Sequence, residues 1–536
     1  MTRFPPEPGG YLHIGHAKGI LASYRIARRF GGFFNLRMDD TDPEKDYGKH
    51  IPVVIQDVES LGIDLQGRIF YASDYFQRLY EIALDLIRRG CAYVCDLDEE
   101  ALRELRGDFY RRGRPSPYRD RSPEENLELF DGMKAGRYET GSRVLRARID
   151  YDHDNVLMRD PVMYRILHTP HYRQGTSWCI YPRYDYSHCL SDAIEGVTHS
   201  ICGKEFEVHR PLYDWFLRAA EIPEPPKQIE YAELRMSNTI LGKRNIRELI
   251  SRGLVRGWDD PRLLTLRGLW RRGYTPEVVR DFMEEIGISR TPSVVDIRAL
   301  EATCRRSLNA VAPRRLAVLR PVRLLIENYP DDQVECLEGV NNPEDPAAGT
   351  RRLPFSRELF IEADDFMVDP PKKYYRLAPG REVRLRYAYF VRCAGYETDP
   401  ATGTVSLVRA VYDPQTRGGN APDGRKVKST IHWVSAAQAV GVRVRLFRPL
   451  FPQADPSTVN GTQELLEIVD RDSWETVDGA VGEPDLASAP VGTAFQFERL
   501  GYFSVDPDSK AGTPVYNRVV PLKDPWARIQ ARQTAG

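Results

Sequence analysis

Two histidines three residues apart, His13 and His16, end the run Pro5-Pro6-Glu7-Pro8-Gly9-Gly10-Tyr11-Leu12-His13-Ile14-Gly15-His16. In the first turn of a helix that spacing puts both imidazoles on one face. The N–H groups at a helix start lack partners and attract anions, so two imidazoles added there make a cradle for a triphosphate. Gly15 between them removes a side chain, and a flat base can lie against the backbone. A bare H-x-x-H is more often a pair of surface or core histidines. What separates this pair from that reading is its setting, behind a proline-rich turn, after a strand and before a helix.

The elements that must hold these residues are legible in outline. Thr2–Pro5 reads as a short extended piece stopped by Pro5 and Pro6. Ile14, Ala17, Leu21, Tyr24 and Ala27 recur at helical spacing and predict a helix from about Ile14 to Phe30, ended by Gly31–Gly32. Phe34, Leu36 and Met38 alternate with Phe33, Asn35 and Arg37, which predicts a strand in a mixed sheet, closed by Asp39–Asp40. This β-α-β opening puts polar residues at the carboxyl ends of strands, where parallel sheets bind ligands. From about Tyr75 to Cys179 helix and loop mix, and from Asn245 to Arg314 helices dominate. The pattern then turns to period two, as in Glu382–Arg392 and in Val442, Val444 and Leu446, which means antiparallel β structure in two barrels or sandwiches. An α/β half followed by an all-β half implies separate domains.

Composition bounds the partners. A chain of 536 residues holds several domains. It contains no apolar run long enough to span a membrane and no secretory signal. The formal net charge is -1, so any binding of nucleic acid must come from local clusters of Arg and Lys. Of eight cysteines only Cys91 and Cys95 lie close together, without a second pair to complete a metal site. Scattered buried thiols in a reducing cytoplasm are the expectation.

The segment through His16 resembles the HIGH signature of class I aminoacyl-tRNA synthetases, in the form of their glutaminyl and glutamyl branch. The resemblance to the glutaminyl type covers nearly the whole chain. It continues through Arg37-Met38-Asp39-Asp40-Thr41-Asp42-Pro43, Tyr184-Asp185-Tyr186-Ser187-His188-Cys189 and Glu195-Gly196-Val197-Thr198-His199-Ser200. Gly257-Trp258-Asp259-Asp260-Pro261-Arg262, Gly424-Arg425-Lys426-Val427-Lys428, Ile431-His432-Trp433-Val434-Ser435 and Gln496-Phe497-Glu498-Arg499 extend it. For the lysine loop of the class, Arg235-Met236-Ser237-Asn238-Thr239 competes with Ile240-Leu241-Gly242-Lys243-Arg244. The second is in register with the family's order and supplies the lysine, whose ammonium can follow charge onto a leaving pyrophosphate. Gly242 stands where the family usually has serine, and Val208 where the glutaminyl branch usually has an acidic residue.

The resemblance implies a multidomain α/β plus all-β fold. A Rossmann-type catalytic domain (1–74 and 181–233) is split by an acceptor-stem-binding insertion (75–180). A helical subdomain with the lysine loop (234–314) and two anticodon-binding β-barrels (315–536) follow. It implies ATP-dependent ligation of L-glutamine to tRNA(Gln) through an adenylate, with Mg2+ on the phosphates and no metal held by protein side chains. The implied catalytic residues are His13, His16 and Lys243. The ATP site adds Glu7, Gly10, Gly15 and Leu241, and the glutamine site takes Arg3, Asp39, Tyr184, His188 and Cys202. Contacts to tRNA fall to Arg351, Arg425, Lys426, Lys428, Gln496 and Arg499. The implied protein is a cytoplasmic monomer that acts on neither DNA nor membranes. Competing readings are a glutamyl enzyme of archaeal or eukaryotic type, a tRNA-binding paralogue without catalysis, and a small-molecule nucleotidyltransferase of the same superfamily.

Overall fold

The computed structural model describes residues 1–459 and 461–522; Asn460 and the end of the expected β half, 523–536, lie outside the described residues. The chain divides into two compact units, one formed by 1–235 with 283–295, the other by 236–282 with 296–536.

The first unit is built on five strands: β1 (Thr2–Phe4), β2 (Phe34–Met38), β3 (Ile69–Tyr71), β8 (His199–Gly203) and β9 (Lys227–Tyr231). Their order is β3-β2-β1-β8-β9, and every pairing is parallel. The mixed sheet expected from the sequence is thus corrected to a parallel one. The alternation in β2 does not mark an exposed face either, because all five of its residues are buried. Parallel strands have both faces covered, so their polar residues must be matched inside the protein. Helix α1 (Ile14–Arg29) covers one face. An added Cβ at Gly19 would collide with the Tyr231 hydroxyl, so this helix and the strand-end beyond β9 approach each other through a glycine.

Between β3 and β8 the chain forms a second sheet, β4 (Ala92–Cys95), β5 (Val144–Ala147), β6 (Val162–Ile166) and β7 (Ile180–Pro182), antiparallel throughout. It shares one apolar core with helices α3 (Phe76–Arg88), α6 (Tyr184–Ile194) and α7 (Arg210–Ala219), around Leu79, Phe130, Tyr164, Tyr186 and Phe216.

A charged cluster ties the parallel sheet to α6. Asp192 is fully buried and accepts hydrogen bonds from Arg3 Nε at 3.0 Å, Arg37 NH1 at 2.7 Å and the Tyr213 hydroxyl at 2.9 Å. Burial pushes its pKa up, but the two guanidinium groups overcome that and hold it far below the usual carboxylate range. Arg37 also pairs with Glu195 at 3.2 Å.

The second unit holds helices Lys243–Ser251, Leu266–Arg272 and Ile297–Val311, then two barrel-like sheets of seven strands. The sheets interleave in sequence. Arg314–Arg315 and Ala317–Val318 pair with strands near residues 496 and 481 in one sheet before the chain builds the other. The alternating run Glu382–Arg392 is not one strand. It folds as Glu382–Leu385 and Phe390–Thr398 in an antiparallel hairpin, with Tyr387 at φ 63° and its hydroxyl donating to Glu498 at 2.7 Å. Period two continued through a turn because a left-handed tyrosine stood at its centre.

Removing one partner of a buried ion cluster leaves uncompensated charge. Asp192→Asn is expected to lower the stability of the first unit by about 3 kcal/mol or more, read as an earlier first transition in thermal unfolding. A transition within 1 kcal/mol of the unsubstituted protein would show that the cluster is not what holds α6 to the sheet.

Candidate functional site

The order of the parallel sheet reverses at β1, and the chain leaving β1 forms the loop that ends in His13 and His16. His13 is the N-cap of α1. Its Nδ1 accepts from the Gly15 backbone N–H at 3.1 Å, while its own backbone N–H donates to His16 Nδ1 at 3.0 Å. This is a capping box built from two imidazoles in place of the usual hydroxyl and carboxylate. The pattern decides the tautomers. Both Nδ1 atoms are acceptors, so each neutral ring carries its proton on Nε2, an N–H donor. The rings lie 3.7 Å apart, tilted by 33°. Two histidines thus satisfy the helix start through Nδ1, and each carries an N–H donor on Nε2. Glu7 in the same loop is exposed and ion-paired with Lys45; Gly10 is buried and Gly15 half-buried.

Beyond β2 stand Asp39 and Asp40, both buried. Burial raises the Asp39 pKa to about 7, with Asp40, Glu7 and Asp192 adding to the rise and Arg37 opposing it. Asp40 is satisfied by the Ser73 N–H at 2.9 Å, the Ser73 hydroxyl at 2.8 Å and the Tyr172 hydroxyl at 2.7 Å.

Tyr184 opens α6 half-buried, with its ring stacked on His188 at 4.8 Å and tilted against Phe206 at 5.6 Å. Burial, then the nearby Arg3 and Arg37, push the His188 pKa well below its ordinary value, so this imidazole is neutral. Cys202 on β8 is half-buried, its thiol pushed up to about 12 by burial. Asp39, Tyr184, His188 and Cys202 therefore belong to the same unit as the paired histidines. Arg3 does too, but it is fully buried and donates to Asp192, the Ile201 carbonyl at 2.8 Å, His188 at 2.9 Å and Ser200. Its guanidinium is thus engaged by internal partners. Arg37, Asp192 and Tyr213 complete this buried cluster, and the sequence reading passed over them. The available signal was a pair of arginines inside two apolar strands, which demands buried acid.

Lys243 lies in the second unit. Gly242 caps and Lys243 begins the helix Lys243–Ser251, whose Ile246 and Leu249 anchor it in a core with Leu263, Leu450 and Phe451. A cation in the first turn opposes the helix dipole, and an anion bound there reverses the sign. Gly242 is extended at φ −64° and its missing Cβ would meet open space, so serine fits this backbone. The competing stretch is engaged elsewhere: Asn238 donates to the carbonyls of Phe451, Pro452 and Gln453, and Ser237 accepts from the Ile297 N–H.

In the β half, Arg351 pairs with Glu483, Arg425 with Glu382, Asp413 and Asp423, and Arg499 with Asp365. Gln496 donates to the Tyr502 hydroxyl at 2.7 Å. Lys426 and Lys428 are exposed, and the Lys428 ammonium lies 5.1 Å from the half-exposed ring of Tyr375, a residue the sequence reading did not single out. Val208 is exposed, its carbonyl accepting from Asn155 at 2.8 Å. No helix among the described residues is long and apolar enough to cross a membrane, and all eight cysteines are free thiols.

A family model described as the catalytic domain of tRNA synthetases class I (E and Q) matches residues 1–310. Models described as their anti-codon binding domain match 312–413 and 430–506. The chain is 53% identical over 531 residues to a glutamine–tRNA ligase of Nitrobacter hamburgensis, covering 99% of this chain and 94% of the relative. It is 51% identical over 532 residues to one of Bradyrhizobium diazoefficiens, with 99% and 94% covered. It is 49% identical over 531 residues to one of Rhodopirellula baltica, with 99% and 88% covered.

A carboxyl group whose folded pKa is raised contributes stability below its unfolded pKa and loses it as pH rises through the folded value. For Asp39 that window runs from the ordinary aspartate value to about 7. Asp39→Asn is therefore expected to raise the thermal midpoint at pH 8 by about 3 °C, with a smaller gain at pH 5. Equal effects at both pH values would contradict a strained carboxylate.

Proposed function

We propose how this chain, which belongs to the class I tRNA synthetases (E and Q), joins L-glutamine to tRNA(Gln) with ATP. The full-length likeness to glutamine–tRNA ligases supports the overall reaction and disfavours a glutamyl enzyme. The observation that carries the residue assignments is the reciprocal cap of His13 and His16, two Nε2–H donors at the mouth of a parallel sheet.

ATP lies along the loop Glu7–His16, its base near Gly10 and Gly15 and its phosphates toward the two Nε2–H groups. Donors of this kind fit phosphate oxygens and not a cation, so Mg2+, when bound, would be held by the phosphates of ATP and would supply neutralisation of their charge. Glutamine binds with its ammonium on Asp39. The Tyr184 hydroxyl meets the side-chain amide, beside neutral His188 and the Cys202 thiol. A neutral lining suits an uncharged amide, which offers donors that a carboxylate lacks.

In the first step a glutamine carboxylate oxygen attacks the α-phosphorus, and the bond from that phosphorus to the α,β-bridging oxygen breaks to release pyrophosphate. His13, His16 and Lys243 stabilise the charge that develops on the phosphates. In the second step the 2′-hydroxyl of the terminal tRNA adenosine attacks the carbonyl of the adenylate, the bond from that carbon to the phosphate oxygen breaks, and AMP departs with the hydroxyl proton on its phosphate. No protein nucleophile takes part; catalysis is positioning and electrostatics. In the β half, tRNA meets Lys426 and Lys428 as surface cations, while Arg351, Arg425, Gln496 and Arg499 act after exchanging their internal partners.

Charging of tRNA with glutamine and not glutamate in one aminoacylation assay tests the substrate reading; preference for glutamate would overturn it. His13→Ala and Lys243→Ala are each expected to lower kcat/KM about 100-fold with folding intact. Because Asp39 must be ionised to hold an ammonium, KM for glutamine should rise as pH falls from 8 to 6, through the Asp39 pKa of about 7. Pyrophosphate exchange with and without tRNA decides whether tRNA must be bound before glutamine is activated.

A further inference from the structure

We propose that the turn from His171 to Gly175 is a positioning element for glutamine, acting on Asp39 through Asp40. The inference rests on the reading of Asp39 as the partner of the substrate ammonium. Asp39 and Asp40 are consecutive, and Asp40 is fully buried, with its oxygens engaged inside the protein. A buried carboxylate beside a substrate-binding one needs a reason, because burial of charge is unfavourable unless donors surround it.

The donors come from two places. Ser73, beyond β3, supplies its backbone N–H and its hydroxyl. The turn between β6 and β7 supplies the rest: Tyr172 donates its hydroxyl to the Asp40 carboxylate at 2.7 Å, and His171 Nε2 meets the Asp40 carbonyl at 2.7 Å. The His171 tautomer follows from its surroundings. Nδ1 accepts from the backbone N–H groups of Arg173 at 3.2 Å and Gln174 at 3.3 Å, so the proton is on Nε2, and His171 is the donor to the carbonyl.

The turn is itself rigid. His171 and Gly175 exchange backbone hydrogen bonds at 2.8 and 2.9 Å, and Gly175 takes the left-handed conformation the turn requires, at φ 57°. Arg173 fastens it to Asp74 at 2.8 Å, and Gln174 to the Ser73 carbonyl at 2.9 Å. On its other side Asp39 donates its own N–H to the Pro6 carbonyl at 3.0 Å, in the loop that leads to His13. The Asp39 backbone is thus held between the nucleotide loop and a turn that belongs to the antiparallel sheet. Arg165 on β6 adds a further tie, to Asp42 at 3.1 Å. A shift of that sheet is carried to Asp39 by these bonds, and binding groups misplaced by about 1 Å lose much of their effect.

The test is kinetic. Tyr172→Phe removes one donor from a buried carboxylate and is expected to raise KM for glutamine about tenfold. KM for ATP and tRNA binding should stay close to those of the unsubstituted enzyme, while the thermal midpoint falls by a few degrees, because a donor to a buried carboxylate is lost. His171→Gln, which retains an N–H donor, should keep more glutamine affinity than His171→Leu. An unchanged KM for glutamine in a folded Tyr172→Phe enzyme overturns the proposal. So does an equal rise in both substrate KM values, which marks a merely structural role. Asp39→Asn separates the two levels of inference. If it leaves KM for glutamine intact, the reading of Asp39 fails; if it abolishes glutamine binding while Tyr172→Phe does nothing, only the positioning role fails.

Discussion

A carboxylate at Asp192, removed from water, must be matched by cations that come to it, and Arg3 and Arg37 do so from the first two strands of the parallel sheet. Desolvating three charges is expensive, and their attraction offsets that only in one geometry. The cluster therefore specifies placement more than it adds stability. It fixes α6 against β1 and β2, and with α6 it fixes Tyr184 and His188, which the helix carries on the same face one and two turns before Asp192. Tyr213 and Ser200 close the remaining bonds from α7 and β8. Five elements, α6, β1, β2, α7 and β8, thus meet at one buried point.

Burial tunes the neighbours of this cluster in opposite directions. His188 sits between two guanidinium groups and is kept neutral, so that it demands no counter-charge of its own. Asp39 lies among carboxylates as well as near Arg37, and burial leaves its ionisation poised near neutrality. An anionic group held at such a cost gains from any cation brought to it, and the proposed role of Asp39 toward a substrate ammonium rests on that gain.

Much of this was legible where the chain carries its meaning locally. His13 and His16 could be placed on a helix start from their spacing together with the proline-rich turn before and the helical pattern after, and the structure adds the reciprocal cap and hence the tautomers. Asp39 was legible as the residue at a strand's end. Arg3 was assigned to the amino-acid site by the resemblance alone; its buried partner Asp192 lies 189 residues away, and no local pattern pairs them. The parallel character of the sheet depends likewise on which strands return beside β1, and period-two alternation is silent when both faces are covered. The hairpin at Tyr387 escaped because nothing in a tyrosine announces a left-handed turn; the buried Glu498 that receives its hydroxyl does, from over a hundred residues on.

Charge balance explains how a chain of net charge -1 handles a polyanion. Its arginines in the β half are mostly matched in place: Arg425 alone faces three carboxylates, and Arg351 and Arg499 each have one at hydrogen-bond distance. An arginine taken from such a pair leaves an acid uncompensated, so its transfer to RNA adds little net affinity unless the new contact is as well formed. Base edges that accept both N–H groups of a guanidinium meet that standard; a passing phosphate does not. A paired arginine thus leaves its acid only for a contact that replaces it, while an exposed lysine such as Lys426 or Lys428 carries charge that attracts any polyanion. The near-zero net charge reflects 76 basic against 77 acidic side chains, so local placement of cations, not their excess, must set any such attraction.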